Sequence, residues 1–163
     1  MAWRETALAG RNDLRPVAPE ALHVTLVFLG YLPEKEIERI ARTAFEPLEG
    51  LTAPRLAVTG VKPVPPRAPR LFAFDLEDEE GRANALQAAA SGALEAARLY
   101  KPEKRPFWPH ITFARVKRGR RAEPLAGGEP PSEPFDAPEV TLYRSILRPQ
   151  GALYEPQASL RLS

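Results

Sequence analysis

Residues 23–30 read HVTLVFLG and residues 110–116 read HITFARV, so each of the chain's two histidines opens an apolar run and is followed two positions later by threonine. In extended backbone, side chains two apart leave the same face about 6.6 Å from each other, so His23 looks the same way as Thr25, and His110 the same way as Thr112. Each pair can touch one ligand. Threonine is scarce in this chain, and its place at +2 from both histidines is poorly explained by two unrelated core histidines. For either histidine alone, a satisfied core residue would be the better reading.

Working outward, residues 22–29 alternate and are rich in β-branched and aromatic types, which predicts a strand ended by Gly30. Pro33, tolerated in a first helical turn, and the acids Glu34 and Glu36 start a helix over 33–46, with Ile37, Ile40, Ala41, Ala44 and Leu48 on one face. A short strand over 55–61, the turn KPVPPRAPR and a strand RLFAFDL over 70–76 follow. Alanine-rich residues 79–99 predict the longest helix, with Leu86, Ala90, Ala93, Leu94 and Ala97 in register. After HITFARV, the Gly, Pro and Glu of 118–137 predict a mobile loop too polar to pack, and 140–147 with 152–162 predict a hairpin turning at Arg148-Pro149-Gln150-Gly151.

Strand, helix and strand thus run from RLFAFDL to HITFARV. A matching unit ahead of His23 would need an opening strand before Met1, so residues 3–9 read as the last turns of a helix whose strand is missing from the chain. The fold class expected is α+β, in one domain over 1–163.

A chain of 163 residues, 44% hydrophobic, can bury a real core. No apolar run approaches the roughly 18 to 20 residues that cross a bilayer, and the N-terminus lacks the apolar centre of a signal peptide, so we expect a cytoplasmic protein with no membrane role. The absence of cysteine excludes disulfides, thiolate zinc sites and a cysteine nucleophile. Net charge is only +2, yet Lys101, Lys104, Arg105, Arg115, Lys117, Arg118, Arg120 and Arg121 crowd around His110 with Glu103 the single acid among them. Such a run is often a solvated loop; beside a site it also draws in a polyanion.

Two histidines on separate strands supply two metal ligands, and neither has an acid at +2 or −2, so a metal centre is a poor fit. No serine stands in a G-x-S-x-G turn, and no glycine-rich phosphate loop is present. Two imidazoles with hydroxyl donors suit an in-line displacement at phosphorus, where one group takes a proton from water and another gives one to the departing oxygen. Histidine, with an ordinary pKa of about 6.5, serves either role near neutrality. Thr25 and Thr112 would donate to non-bridging oxygens, Arg115 at +5 from His110 would clamp them, and Phe28 at +5 from His23 would stack on a nucleobase. Strict alternation puts +5 on the opposite face, so both assignments require a bulge or a strand end.

These paired His-x-Thr motifs resemble those of the two-histidine phosphoesterase superfamily, and HVTLVFLG with PHITFAR looks most like its bacterial RNA 2′,3′-cyclic phosphodiesterases, historically called 2′-5′ RNA ligases. The likeness extends through PEALHVTL to Leu142, Ser145 and Tyr154. It implies two similar lobes whose antiparallel sheets line a central cleft with helices outside, one histidine from each lobe, and metal-free opening of an RNA 2′,3′-cyclic phosphate to a 2′-phosphate. It also implies His23 as general acid, His110 as general base, Arg115 on the phosphate and Phe28 against the base. We expect a monomer with no cofactor and with an RNA or nucleotide as partner. Members open with a strand like Arg-x-Phe-x-Ala, which this chain lacks. A non-catalytic nucleotide- or RNA-binding module, or a reversible ligase, are the alternatives.

Overall fold

Trp3 to Leu8 carry enough apolar side chains to anchor a short helix, and α1 forms over Ala2–Leu8. The computed structural model describes residues 2–149 and 151–163. Strands follow as β1 (Leu14–Pro16), β2 (Arg55–Val64), β3 (Leu71–Asp78), β4 (His110–Val116), β5 (Phe135–Asp136), β6 (Glu139–Arg148) and β7 (Gly151–Arg161), with helices α2 (Ile37–Phe45) and α3 (Arg82–Ala96). The architecture is α+β: β1-β4-β3-β2-β5 lie in order in one sheet, β6-β7 form another, and the registered pairs are antiparallel.

The chain divides into two compact units. The first holds residues up to Val24, Ala57–Glu77 and His110–Pro134. Its core packs Leu14, Phe72, Phe113 and Ala114 with Trp3, Leu8, Leu22 and Phe74. Phe74 and Phe113 stack with centroids 4.3 Å apart, and Trp3 meets Phe113 edge-on at 6.0 Å, so α1 closes one face of the sheet with an aromatic cluster. Arg4, 8% exposed, sends Nη1 to the Val17 carbonyl at 2.8 Å and ties α1 to the segment that follows β1.

The loop after β4 differs from its sequence expectation. Ala122 and Leu125 pack against this core, Trp3 Nε1 donates to Gly127 O at 2.9 Å, and Arg11 donates to the carbonyls of Glu123 and Pro124. Polar composition hid two apolar anchors and a set of backbone acceptors for which distant donors were waiting. A Cβ on Gly127, whose φ is +134°, would lie 3.3 Å from the Ala7 Cβ, so glycine lets the loop approach α1.

The second unit holds Thr25–Leu56, Asp78–Pro109 and Phe135–Ser163. Leu48, Leu86, Ala90 and Leu162 form one cluster, and Ile40, Leu94 and Leu99 another, so the apolar stripes read from the sequence are the buried ones. The long helix starts at Arg82 rather than Glu79, because Asp78 takes the Ala83 and Asn84 backbone N–H groups at 2.8 and 2.9 Å across a turn in which Glu80 and Gly81 have positive φ. The hairpin expected near the C-terminus is present from Glu139 to Arg161; Gln150 of its turn lies outside the described residues.

Residues 22–29 are a correction. They form no strand, only an isolated antiparallel bridge of Val24 to Ile111. Leu26 and Val27 instead pack with Leu48 and Leu86, and Val27 and Leu29 with Ile40 and Leu94. Alternating apolarity reports burial, whereas a ladder needs a partner backbone alongside, and beyond Val24 no strand pairs with this segment. β1, by contrast, escaped the sequence reading: three residues ending in proline become a strand because they lie along β4, with Leu14 against Val116 and Arg15 against Arg115.

Candidate active site

β4 carries a bulge. Asp75 pairs with His110, Phe74 with Ile111 and Ala73 with Thr112, but Phe72 pairs with Ala114, so Phe113 is the extra residue. Before the bulge, His110 and Thr112 share the face of Asp75 and Ala73. After it the alternation is offset by one, and Arg115, opposite Leu71, returns to that face. Phe113, 0% exposed, and Ala114 turn into the aromatic core on the other side. The bulge that the +5 spacing demanded is thus present, held by the burial of Phe113, and Arg115 is exposed on the histidine face.

His23 reaches the same face along the flank of β4. From β1 the chain makes Val17 N–H to Phe113 O at 2.9 Å, turns through a single 3-10 turn at Pro19–Ala21, and returns at the Val24–Ile111 bridge. That antiparallel bridge sets His23 across from Thr112, and cross-strand partners project to the same side. Nδ1 of His23 lies 2.8 Å from the Ala21 carbonyl. A carbonyl only accepts, so Nδ1 is the donor in this contact. The first unit therefore gathers His23, His110, Thr112 and Arg115, both histidines half-buried.

Thr25 and Phe28 fall in the second unit. Thr25 is exposed, and Phe28 is 70% exposed, so its ring is not part of a core. Since residues 25–29 are not a strand, its +5 position carries no face constraint.

Three residues around this face were missed by sequence reasoning. Asp75 is the direct neighbour of His110 across the β3–β4 ladder, and Lys62 Nζ holds its Oδ2 at 2.7 Å. The lysine offsets a carboxylate that would otherwise repel an anion. A lone acid inside RLFAFDL was the available signal, since acids are rare in a central strand unless paired. Arg15, across from Arg115, is the third, and it had no signal while β1 was unrecognised. Among the described residues no group of three or more His, Asp or Glu could hold a metal ion, and no helix is long and apolar enough to cross a membrane.

Residues 2–146 match the 2′-5′ RNA ligase superfamily. A curated relative from Thermus thermophilus, named RNA 2′,3′-cyclic phosphodiesterase, is 38% identical over 86% of this chain and 71% of its own. One of the same name from Archaeoglobus fulgidus is 31% identical over 91% of this chain and 84% of its own. A crystal structure of a Thermus thermophilus protein superposes with a TM-score of 0.76 at 26% identity, covering 96% of this chain and 86% of that one. With a match over nearly its whole length and such relatives, the chain belongs to the 2′-5′ RNA ligase superfamily.

Proposed function

We propose that this protein hydrolyses the 2′,3′-cyclic phosphate at an RNA end to a 2′-phosphomonoester without a metal ion. The observation that carries the reading is the face of the first unit on which the bridge at Val24 and the bulge at Phe113 bring His23, His110, Thr112 and Arg115 together. The name shared by the curated relatives, RNA 2′,3′-cyclic phosphodiesterase, supports this class of reaction.

In this reading His110 takes a proton from water as its oxygen attacks phosphorus. The P–O3′ bond breaks in line, and His23 delivers a proton from Nε2 to the departing O3′. The product keeps phosphate on O2′, and the two histidines exchange protonation states, restored through solvent. Thr112 and Thr25 donate hydrogen bonds to the non-bridging oxygens, and the Arg115 guanidinium stabilises the charge that grows on them. Phe28, exposed, stacks on the terminal base. The whole chain acts as one two-lobed domain, as a monomer, with no cofactor.

The test is a short RNA ending in a cyclic phosphate, incubated with purified protein in EDTA, with the position of the product phosphate mapped. A 2′-phosphate is expected, with a bell-shaped pH profile, and His23→Ala and His110→Ala should each lower the rate by about 10² to 10⁴. Undiminished turnover in both variants removes the mechanism. Tight binding of 2′-nucleotides with every cyclic phosphate left intact favours a binding module instead.

A further inference from the structure

The β1–β4 register sets Arg15 directly across from Arg115, and the bulge at Phe113 turns both toward the face of His110 and Thr112. β1 is held firmly for so short a strand: Leu14 is 2% exposed in the core, Arg4 grips Val17 O, and Val17 N–H bonds Phe113 O. The sheet face from which the Arg15 side chain leaves is therefore fixed by its neighbours. The same flank of chain goes on to supply His23, so two guanidiniums and two imidazoles line one continuous strip of the first unit.

Like charges directly opposite each other on an antiparallel ladder weaken it, and an anion between them reverses the sign. Opposed residues on such a ladder have Cα atoms about 4.5 to 5.5 Å apart. Each phosphate of a nucleic-acid strand is a separate site for a cation, and long arginine side chains on adjacent strands can reach two of them. If Arg115 serves the reacting phosphorus, the second guanidinium, one strand further out, is placed for the next phosphate of the same chain.

Resting on the proposed reaction, we infer that Arg15 forms a subsite for the phosphodiester immediately 5′ to the cyclic-phosphate nucleotide. The favoured substrate is then an oligonucleotide end and not a cyclic mononucleotide.

The experiment compares kcat/KM on a cyclic-phosphate mononucleotide and a cyclic-phosphate trinucleotide of the same terminal base, for the wild-type chain, Arg15→Ala and Arg15→Lys. The wild type should prefer the trinucleotide. Arg15→Ala should lose about 10-fold more on the trinucleotide than on the mononucleotide, mainly through KM, with the log–log salt slope on the trinucleotide reduced by about 0.7. Arg15→Lys, which keeps the charge, should restore the slope. A preference ratio left unchanged by Arg15→Ala, whether both rates fall together or neither moves, overturns the subsite. Turnover of neither substrate by the wild type overturns the reaction instead. The subsite is then decided by titration with a 2′-phosphorylated trinucleotide against the 2′-mononucleotide: loss of the affinity ratio in Arg15→Ala supports it, and an unchanged ratio sinks it.

Discussion

Replacing Asp13 by Asn should loosen the loop after β4 in a way that depends on pH. Arg11 grips Asp13 with two parallel bonds, Nε to Oδ1 at 2.8 Å and Nη2 to Oδ2 at 2.6 Å. The same guanidinium donates to Glu123 O at 2.8 Å and Pro124 O at 3.1 Å, while Glu123 N–H reaches Asp13 Oδ2 at 3.3 Å. One ion pair thus pins two segments far apart in sequence. Hydrogen bonding from Arg11 holds the Asp13 carboxyl down at about 2, against an ordinary 3.8. At about 1.36 kcal/mol per pH unit, this gap of about 1.8 sets a ceiling near 2.4 kcal/mol; solvent screening of a surface pair brings it to about 1 kcal/mol. The folded-state value is the lower one, so the unfolded chain binds the proton more readily. The contribution is complete above about pH 4 and disappears as pH falls toward 2. Urea unfolding of wild type and Asp13→Asn should differ by about 1 kcal/mol at pH 7 and progressively less below pH 4. Amide exchange should rise in the variant around Glu123–Gly127. A difference that stays constant from pH 7 to 2.5 would refute the pairing as its source.

Phe113→Ala should cost about 3 to 5 kcal/mol in unfolding measurements, because the ring is fully buried against Phe74 and Trp3. It should also lower kcat/KM, since the bulge directs Arg115. Arg115→Ala should cut kcat on a cyclic phosphate by about 10² to 10³, with Arg115→Lys intermediate because a single ammonium cannot bond two oxygens as a planar fork does. An unaffected kcat would place Arg115 outside the site. Phe28→Ala should weaken binding of a base-bearing 2′-nucleotide by about 1 to 3 kcal/mol in a titration and leave ribose 2′-phosphate binding unchanged. Equal losses on both ligands would argue against stacking.

The helices α2 and α3, the strand at His110 and the C-terminal hairpin were legible in the sequence because each follows from local periodicity, with chain-breaking Gly and Pro close by. The repeated His-x-Thr was visible there too, and it is where the proposed site begins. The backbone arrangement around those residues was not. HVTLVFLG has the apolar alternation of a strand, yet among the described residues it forms a β-bridge only at Val24, because pairing is decided by what lies alongside. Nothing in LRP announces β1, and without β1 Arg15 is one more charged residue in an unplaced segment. The face of Arg115 depends on a one-residue mismatch between β3 and β4, strands far apart in the chain, and on room in the core for Phe113. Composition and spacing determined which residue types are candidates for the chemistry. Register, which is a relation between segments and a property of neither alone, decided which way they point.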